Sequence, residues 1–392
     1  MPAREPQVTL SPRGVNRILS GHPWVYRSDI AAADGVEPGA TVVIRDARGH
    51  FLGRGWFSTA SQIALRLVTR EDAPIDDAYL AARLVAAADY RGRVVENSTA
   101  YRLVYGESDG LPGLVVDRYA DHFVLQTLTQ ATDRLKDTFV RLLVERFRPA
   151  GIVERNDPKV RQLEGLEQRV GVLAGECPPE VVVEENGVRF AYDLLRGQKT
   201  GGFLDQRENR AAAARYACGS VLDCFCYGAG FALHVAAQAE EVEAIDSAPS
   251  ALAAARRNLE LNGTRNVIVR EANVFDVLKA YSDAGRQFDM VILDPPAFAK
   301  NKASLEPARR GYKEINLRAL KLLRPGGTVV TCSCSYHVAE SMLLELVAEA
   351  ALDAGRQVVV AERRTQGRDH PILLTMPESH YLKCLVLDAV DR

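Results

Sequence analysis

Beyond about residue 189 the chain alternates strand-like and helix-like segments, and this alternation constrains its fold more than any other feature. Short apolar runs recur at 221–224, 242–246, 267–269, 288–294 and 328–332, and two more follow at 358–360 and 381–387. Between them lie segments of helical periodicity. In 250–263, Leu252, Ala255 and Leu259 share one face and Asn262-Gly263 supplies a left-handed stop. Strands alternating with helices predict an α/β fold, a doubly wound Rossmann-like parallel sheet. A ligand of such a sheet lies beyond the carboxyl ends of its strands, where the strand order reverses.

The residues at those strand ends carry chemistry. Asp223 closes the first strand and is followed by Cys224-Phe225-Cys226-Tyr227-Gly228-Ala229-Gly230. Asp246 closes the second, about 20 positions on, the layout of an adenosine site with the carboxylate on the ribose hydroxyls. A dinucleotide fingerprint needs a third glycine for close helix–strand packing, and Leu233 stands in its place, which argues against a dehydrogenase. The fourth strand delivers Asp294-Pro295-Pro296-Ala297-Phe298. The two prolines fix the backbone and lack N–H donors, so nearby carbonyls are open to a substrate amine, and Phe298 offers a ring to stack on. After Pro325-Gly326-Gly327, the fifth strand ends in Thr331-Cys332-Ser333-Cys334-Ser335-Tyr336.

At 392 residues the chain is long enough for two or three domains, and with 47% hydrophobic and 26% charged residues it is expected to be globular throughout. Composition shifts near 70–74 and 176–179 divide it into 1–70, a small β-barrel; 71–186, a central α+β domain; and 187–392, the α/β domain. Hairpins are expected at 41–56 and 114–126, and a helix carrying Leu135, Phe139, Leu142 and Leu143 after Thr132-Asp133. The seven cysteines include two C-x-C pairs, which points to reduced thiols without a disulfide framework or metal site. No apolar run is long enough to span a bilayer and residues 1–7 hold no apolar block, so a cytoplasmic protein without membrane attachment is expected. A net charge of −2 excludes a uniformly basic nucleic-acid binder, so RNA contacts would have to be local. Arg13, Arg17 and Arg27 interleaved with Trp24 and Tyr26 form one such patch. Equally, the aromatics are core residues and the arginines solvate a surface; spacing favours neither.

Six blocks in order carry a resemblance: SGHPWVYRSDI, DGLPGLVVDRY, GQKTGGFLDQRENR, LDCFCYGAGFALH, FDMVILDPPAFAK and CSCSYH. Nearly end to end, the chain resembles the bacterial cytosine-5 methyltransferases of large-subunit (23S) ribosomal RNA. The resemblance implies an N-terminal PUA domain, a central α/β domain, and a C-terminal Rossmann-like domain binding S-adenosylmethionine. It implies 23S RNA, free or in an assembly intermediate, as partner, and a homodimer is one assembly open to such a chain. Matched position by position, Cys334 is the nucleophile, Cys332 is structural, and Asp294 holds the cytosine. Asp246 meets the ribose, Asn273 the adenine amino group, and Asp223, Tyr227, Gly228 and Gly230 the methionine end, with Ser247, Val274 and Asp294 also among the cofactor-binding residues. Gln198, Lys199, Thr200, Asp205 and Gln206 close over it.

RNA contacts are assigned to Arg13, Arg17, Trp24, Tyr26, Arg27, Lys300 and Lys302. Lys300, Lys302, Arg309 and Arg310 are candidate activators of Cys334. The chain departs from the family at Ala229, where glycine is usual, at Asn273, where an acid is usual, and at Gly202, where an aromatic is usual. Alternatives are an N-methyltransferase acting on a purine amino group of RNA, and a non-catalytic RNA-binding assembly protein.

Overall fold

The computed structural model describes residues 5–299 and 302–390, and at Lys302 the backbone alone. The chain divides into two compact units. The first gathers residues 1–183, 192–204 and 368–379; the second gathers 184–191, 205–367 and 380–392.

The first unit holds two sheets. Its six-stranded sheet runs in the order Trp24–Tyr26, Ile63–Thr69, Phe51–Phe57, Thr41–Arg45, Gln7–Leu10, Ile30–Ala32. Thr41–Arg45 and Phe51–Phe57 form the expected antiparallel hairpin, while Gln7–Leu10 lies parallel to Thr41–Arg45. Val8, Leu10, Ile18, Val42, Ile44 and Leu65 form its core. The five-stranded sheet includes the second expected hairpin, Leu114–Tyr119 with His122–Thr127. Leu80 and Leu84 of the helix Asp77–Val94 and Phe139 and Leu143 of Lys136–Phe147 bury their apolar faces in this unit's second core. The predicted helix start moves. Thr129 is the N-cap of Gln130–Arg134, exchanging hydrogen bonds with Thr132 in a capping box, and Leu135 separates that turn from the longer helix.

The second unit is built on one seven-stranded sheet. Its strands are β1 (Ser220–Cys224), β2 (Glu241–Asp246), β3 (Val267–Glu271), β4 (Phe288–Leu293), β5 (Leu323–Ser333), β6 (Val358–Thr365) and β7 (Lys383–Ala389). They lie in the order β3-β2-β1-β4-β5-β7-β6. The first five are parallel, and the order reverses between β1 and β4, which sets the crevice beyond Asp223 and Asp294. The expectation of a parallel sheet fails at one edge, because β7 is antiparallel to both β5 and β6. No α-helix separates β6 from β7, so the chain has no crossover that would return it in the same direction. β5 begins before the Pro-Gly-Gly segment, with an irregular register opposite Phe288–Met290 and Gly326 at φ 76°. The core includes Leu222, Val291, Ile315, Leu320, Val329, Leu346 and Leu385, so the helices Leu305–Lys321 and Glu340–Ala354 are anchored by their apolar faces. Among the described residues no helix is long and apolar enough to cross a membrane.

Candidate active site

The first strand end brings a carboxyl into the interior. Asp223 is almost fully buried; its Oδ2 accepts from Ala232 N at 2.9 Å, while Oδ1 has no hydrogen-bond partner among the described residues. Burial, with Asp294 and Asp246 as neighbouring acids, pushes its pKa up to about 8. The loop that follows is strained in a regular way. Phe225, Tyr227 and Ala229 have φ of 62°, 48° and 60°, alternate residues in the left-handed region that favours glycine. The N–H groups of this loop are used by the fold itself: Cys226 N donates to Ile245 O at 2.9 Å and Tyr227 N to Asp246. Ala229 N is tied to Cys226 O at 2.8 Å, and the fully buried methyl group of Ala229 occupies the position where the family usually has glycine.

One of the two glycines of the loop has a packing reason. A Cβ at Gly230 would lie 2.6 Å from Arg210 Nε, whose guanidinium is paired with Glu185 at 3.0 Å. Gly228 offers its carbonyl to Asn258 Nδ2 at 2.9 Å. Asp246, at the end of β2, accepts from Tyr227 N at 3.0 Å and Ala248 N at 2.9 Å, so it ties the loop to the second strand end, and Ser247 beside it is exposed. Asn273 is the N-cap of Val274–Asp283, its side-chain oxygen accepting from Phe275 N at 2.9 Å, and Val274 is buried in the core.

These residues suit S-adenosylmethionine. A buried carboxyl with one open oxygen gains an ionised state beside a cation such as the sulfonium. Asp246 stands at the position for ribose hydroxyls.

At the fourth and fifth strand ends a second constellation forms. Asp294 Oδ1 accepts from Gln206 Nε2 at 2.8 Å, and Gln206, itself buried, receives Asn209 Nδ2 on its Oε1 at 2.6 Å. Asp205 Oδ2 accepts from the Tyr381 hydroxyl at 2.6 Å. The two cysteines part company because β5 stops at Ser333. Cys332 is fully buried opposite Cys384; its hydrogen bond with that thiol, together with burial, holds its pKa well above the ordinary thiol range. Cys334 lies past the strand, partly exposed, with Sγ 3.9 Å from Pro295 O of the Asp-Pro-Pro turn.

The serines on either side of Cys334 are clamped. Ser333 Oγ donates to the Tyr312 hydroxyl at 2.9 Å, that hydroxyl lies 3.0 Å from Ser335 Oγ, and Ser335 Oγ accepts from Ala299 N at 3.1 Å. Phe298 packs on Tyr312, ring centroids 4.8 Å apart, within a cluster that includes Phe225 and Phe275.

Two participants were not singled out in the sequence. Tyr312 sits within a helix and looks like ordinary core. Lys383 begins β7, is 3% exposed, and its Nζ donates to Ser335 O at 2.7 Å and Tyr381 O at 2.8 Å. A lysine interrupting an otherwise apolar strand run was the available signal. Of the candidate activators, Arg309 is 3.9 Å from Glu306, Arg310 is exposed, Lys300 lies outside the described residues, and so does the side chain of Lys302.

The remaining assigned residues belong to the first unit. Thr200 is buried, its hydroxyl 2.5 Å from Asp117 Oδ2, while Gln198 and Lys199 are exposed and Lys199 lies over the Phe203 ring at 4.3 Å. Gly202 donates to the Tyr119 hydroxyl at 3.0 Å, and a Cβ there would come 2.4 Å from the Tyr192 ring, which fills the space an aromatic would need. Arg13 is exposed and Arg17 half-buried, 3.4 and 3.8 Å from Asp29, and Arg17 also lies over Tyr26 at 4.7 Å. Trp24 Nε1 donates to Glu107 at 2.7 Å, and Arg27 donates to Ser58 O and Ser61 O at 2.8 and 2.7 Å.

Residues 166–371 match the family described as S-adenosylmethionine-dependent methyltransferase, and residues 8–70 match the PUA-like domain. The chain is 43% identical over 390 residues to ribosomal RNA large subunit methyltransferase I of Shewanella frigidimarina, covering 97% of this chain and 98% of the relative. It is 44% identical over 383 residues to the protein of the same name in Tolumonas auensis, covering 95% and 96%. Among solved structures, a methyltransferase crystallised with SAH superposes with a TM-score of 0.84 at 20% identity, covering 97% of this chain and 99% of that one. The cofactor is therefore S-adenosylmethionine.

Proposed function

The chain belongs to the ribosomal RNA large subunit methyltransferase I family, and from that premise we propose that it methylates carbon 5 of a cytosine in large-subunit ribosomal RNA through a covalent bond to Cys334. Carbon 5 of cytosine is too weak a nucleophile to be methylated directly. The Cys334 thiolate adds to carbon 6, forming a carbon–sulfur bond and moving electron density to carbon 5. S-adenosylmethionine, when bound, supplies the methyl group that carbon 5 then takes. Loss of the carbon-5 proton to a base restores the double bond as the carbon–sulfur bond breaks and the thiolate returns. Asp294, oriented by Gln206, holds the ring at N3 or the amine. Asp223, Asp246 and the loop 225–230 hold the cofactor.

The observation carrying this reading is the divergence of the two thiols: Cys332 stays buried and protonated, whereas Cys334 passes the strand end beside the Asp-Pro-Pro turn. RNA carrying 5-fluorocytosine tests it. Fluorine cannot leave as a proton does, so a cysteine mechanism stalls as a protein–RNA adduct joined at Cys334. Methylated product without any adduct, or methyl found on an exocyclic amine, would overturn the reading in favour of an amino-group methyltransferase.

A further inference from the structure

Lys383 stands where ordinary strand chemistry has no use for a charge. It pairs in register with Ser333 on β5, the residue before Cys334, and its side chain is 3% exposed. Two of the three N–H donors of its ammonium are committed, to Ser335 O at 2.7 Å and to Tyr381 O at 2.8 Å. The first of these carbonyls belongs to the residue directly after Cys334. Among the described residues no carboxylate forms an ion pair with it. A buried ammonium satisfied only by neutral carbonyls is costly, and a nearby anion lowers that cost.

The titratable groups around it are few. Glu340, at the start of Glu340–Ala354, acts on it electrostatically but is partly exposed and lies 3.7 Å from Arg363. Tyr312, on Leu305–Lys321, is held protonated by burial, as is Cys332, primarily through its hydrogen bond with Cys384. Asp294 is engaged by Gln206. Cys334 is the remaining acid that interacts with the ammonium.

We infer that Lys383 is the counter-charge of the Cys334 thiolate, a positioning residue whose ammonium activates the nucleophile by favouring loss of the thiol proton. The step is balanced: the S–H bond breaks, its proton leaves to solvent, Lys383 keeps its own protons, and the thiolate and ammonium remain paired. Desolvation lowers the lysine to about 8 and the thiolate opposes that fall, so at neutral pH the lysine is still mostly an ammonium. The inference rests on the cysteine mechanism proposed above, but its test does not use methyl transfer.

The test is the pH dependence of iodoacetamide alkylation at Cys334, followed by mass spectrometry of the peptide containing it. In the unmodified protein the thiol should titrate below the ordinary value of about 8.5. Lys383→Met and Lys383→Gln should raise it, reducing the alkylation rate at pH 7 roughly tenfold, one unit of pKa. Lys383→Gln keeps amide donors for the two carbonyls without the charge, so it separates charge from packing, and Lys383→Arg should restore part of the rate. Wild-type rates in folded Lys383→Gln at every pH would overturn the inference. So would a Cys334 pKa at or above 8.5 in the unmodified chain, a measurement needing no variant. Failure of the cysteine mechanism itself would appear instead as methylation by Cys334→Ala.

Discussion

The carboxylate of Asp294 accepts a 2.8 Å hydrogen bond from the side-chain amide of Gln206, two residues 88 positions apart. Asp294 ends up beyond β4 at the sheet's reversal point, while Gln206 precedes β1 and is itself held by Asn209. A strand-end acid alone swings through several rotamers. One fixed by a buried amide presents its second oxygen in one direction.

Replacing Gln206 by alanine should therefore weaken catalysis more than cofactor binding. It removes a donor to Asp294 and one of the two acceptors of the buried Asn209 amide, which keeps Thr365 O at 3.1 Å, a loss of about 0.5–1.5 kcal/mol per hydrogen bond. We expect kcat to fall roughly ten- to a hundredfold, with the Kd for S-adenosylmethionine changing less, which steady-state kinetics and calorimetry would separate.

Loss of the Cys334 thiol should be far more damaging. Cys334→Ala is expected to lower methyl transfer at least about a thousandfold, since the reaction loses its covalent step. Cofactor affinity should stay within a factor of about two, as Sγ touches the Pro295 carbonyl rather than the loop 225–230. Methylation retained at a tenth of the wild-type rate would contradict the assignment.

Asp223 predicts an unusual dependence of stability on pH. Its folded pKa of about 8 lies above the unfolded value of 3.8, so the folded state binds the extra proton between them. The stabilisation is fully present below the unfolded value, is lost as pH rises through that window, and changes no further above about 8, with a slope of order 1 kcal/mol per pH unit. Asp223→Asn should flatten the fall in Tm of the cofactor-free protein between pH 5 and pH 8. Cofactor binding to the unmodified chain should release a proton at neutral pH, visible as a buffer-dependent heat in calorimetry.

Ala229 holds φ of 60°, a conformation that costs an alanine about 1 kcal/mol more than a glycine. Ala229→Gly should raise Tm by about 2–4 °C for a domain of this size, a change that differential scanning calorimetry resolves. A fall in Tm would mean that the buried methyl group contributes more packing than the backbone strain costs.

The sequence by itself determined the alternating α/β domain, the order of its parallel strands' chemistry, and the two hairpins of the first unit. These features follow from periodicity and from turn residues, which act over a few positions and are written locally. The acids Asp223, Asp246 and Asp294 were legible for the same reason, since the place where an apolar strand run gives out is a local fact. Only the tertiary structure decided that β7 runs antiparallel between β5 and β6, that Cys332 is sealed against Cys384, and that Tyr312 clamps the serines around Cys334. Lys383 belongs to this second group. Its meaning depends on which strand it is paired with and on what lies near its amine once water is removed, and burial and cross-strand register are properties of the assembled sheet rather than of any segment in it.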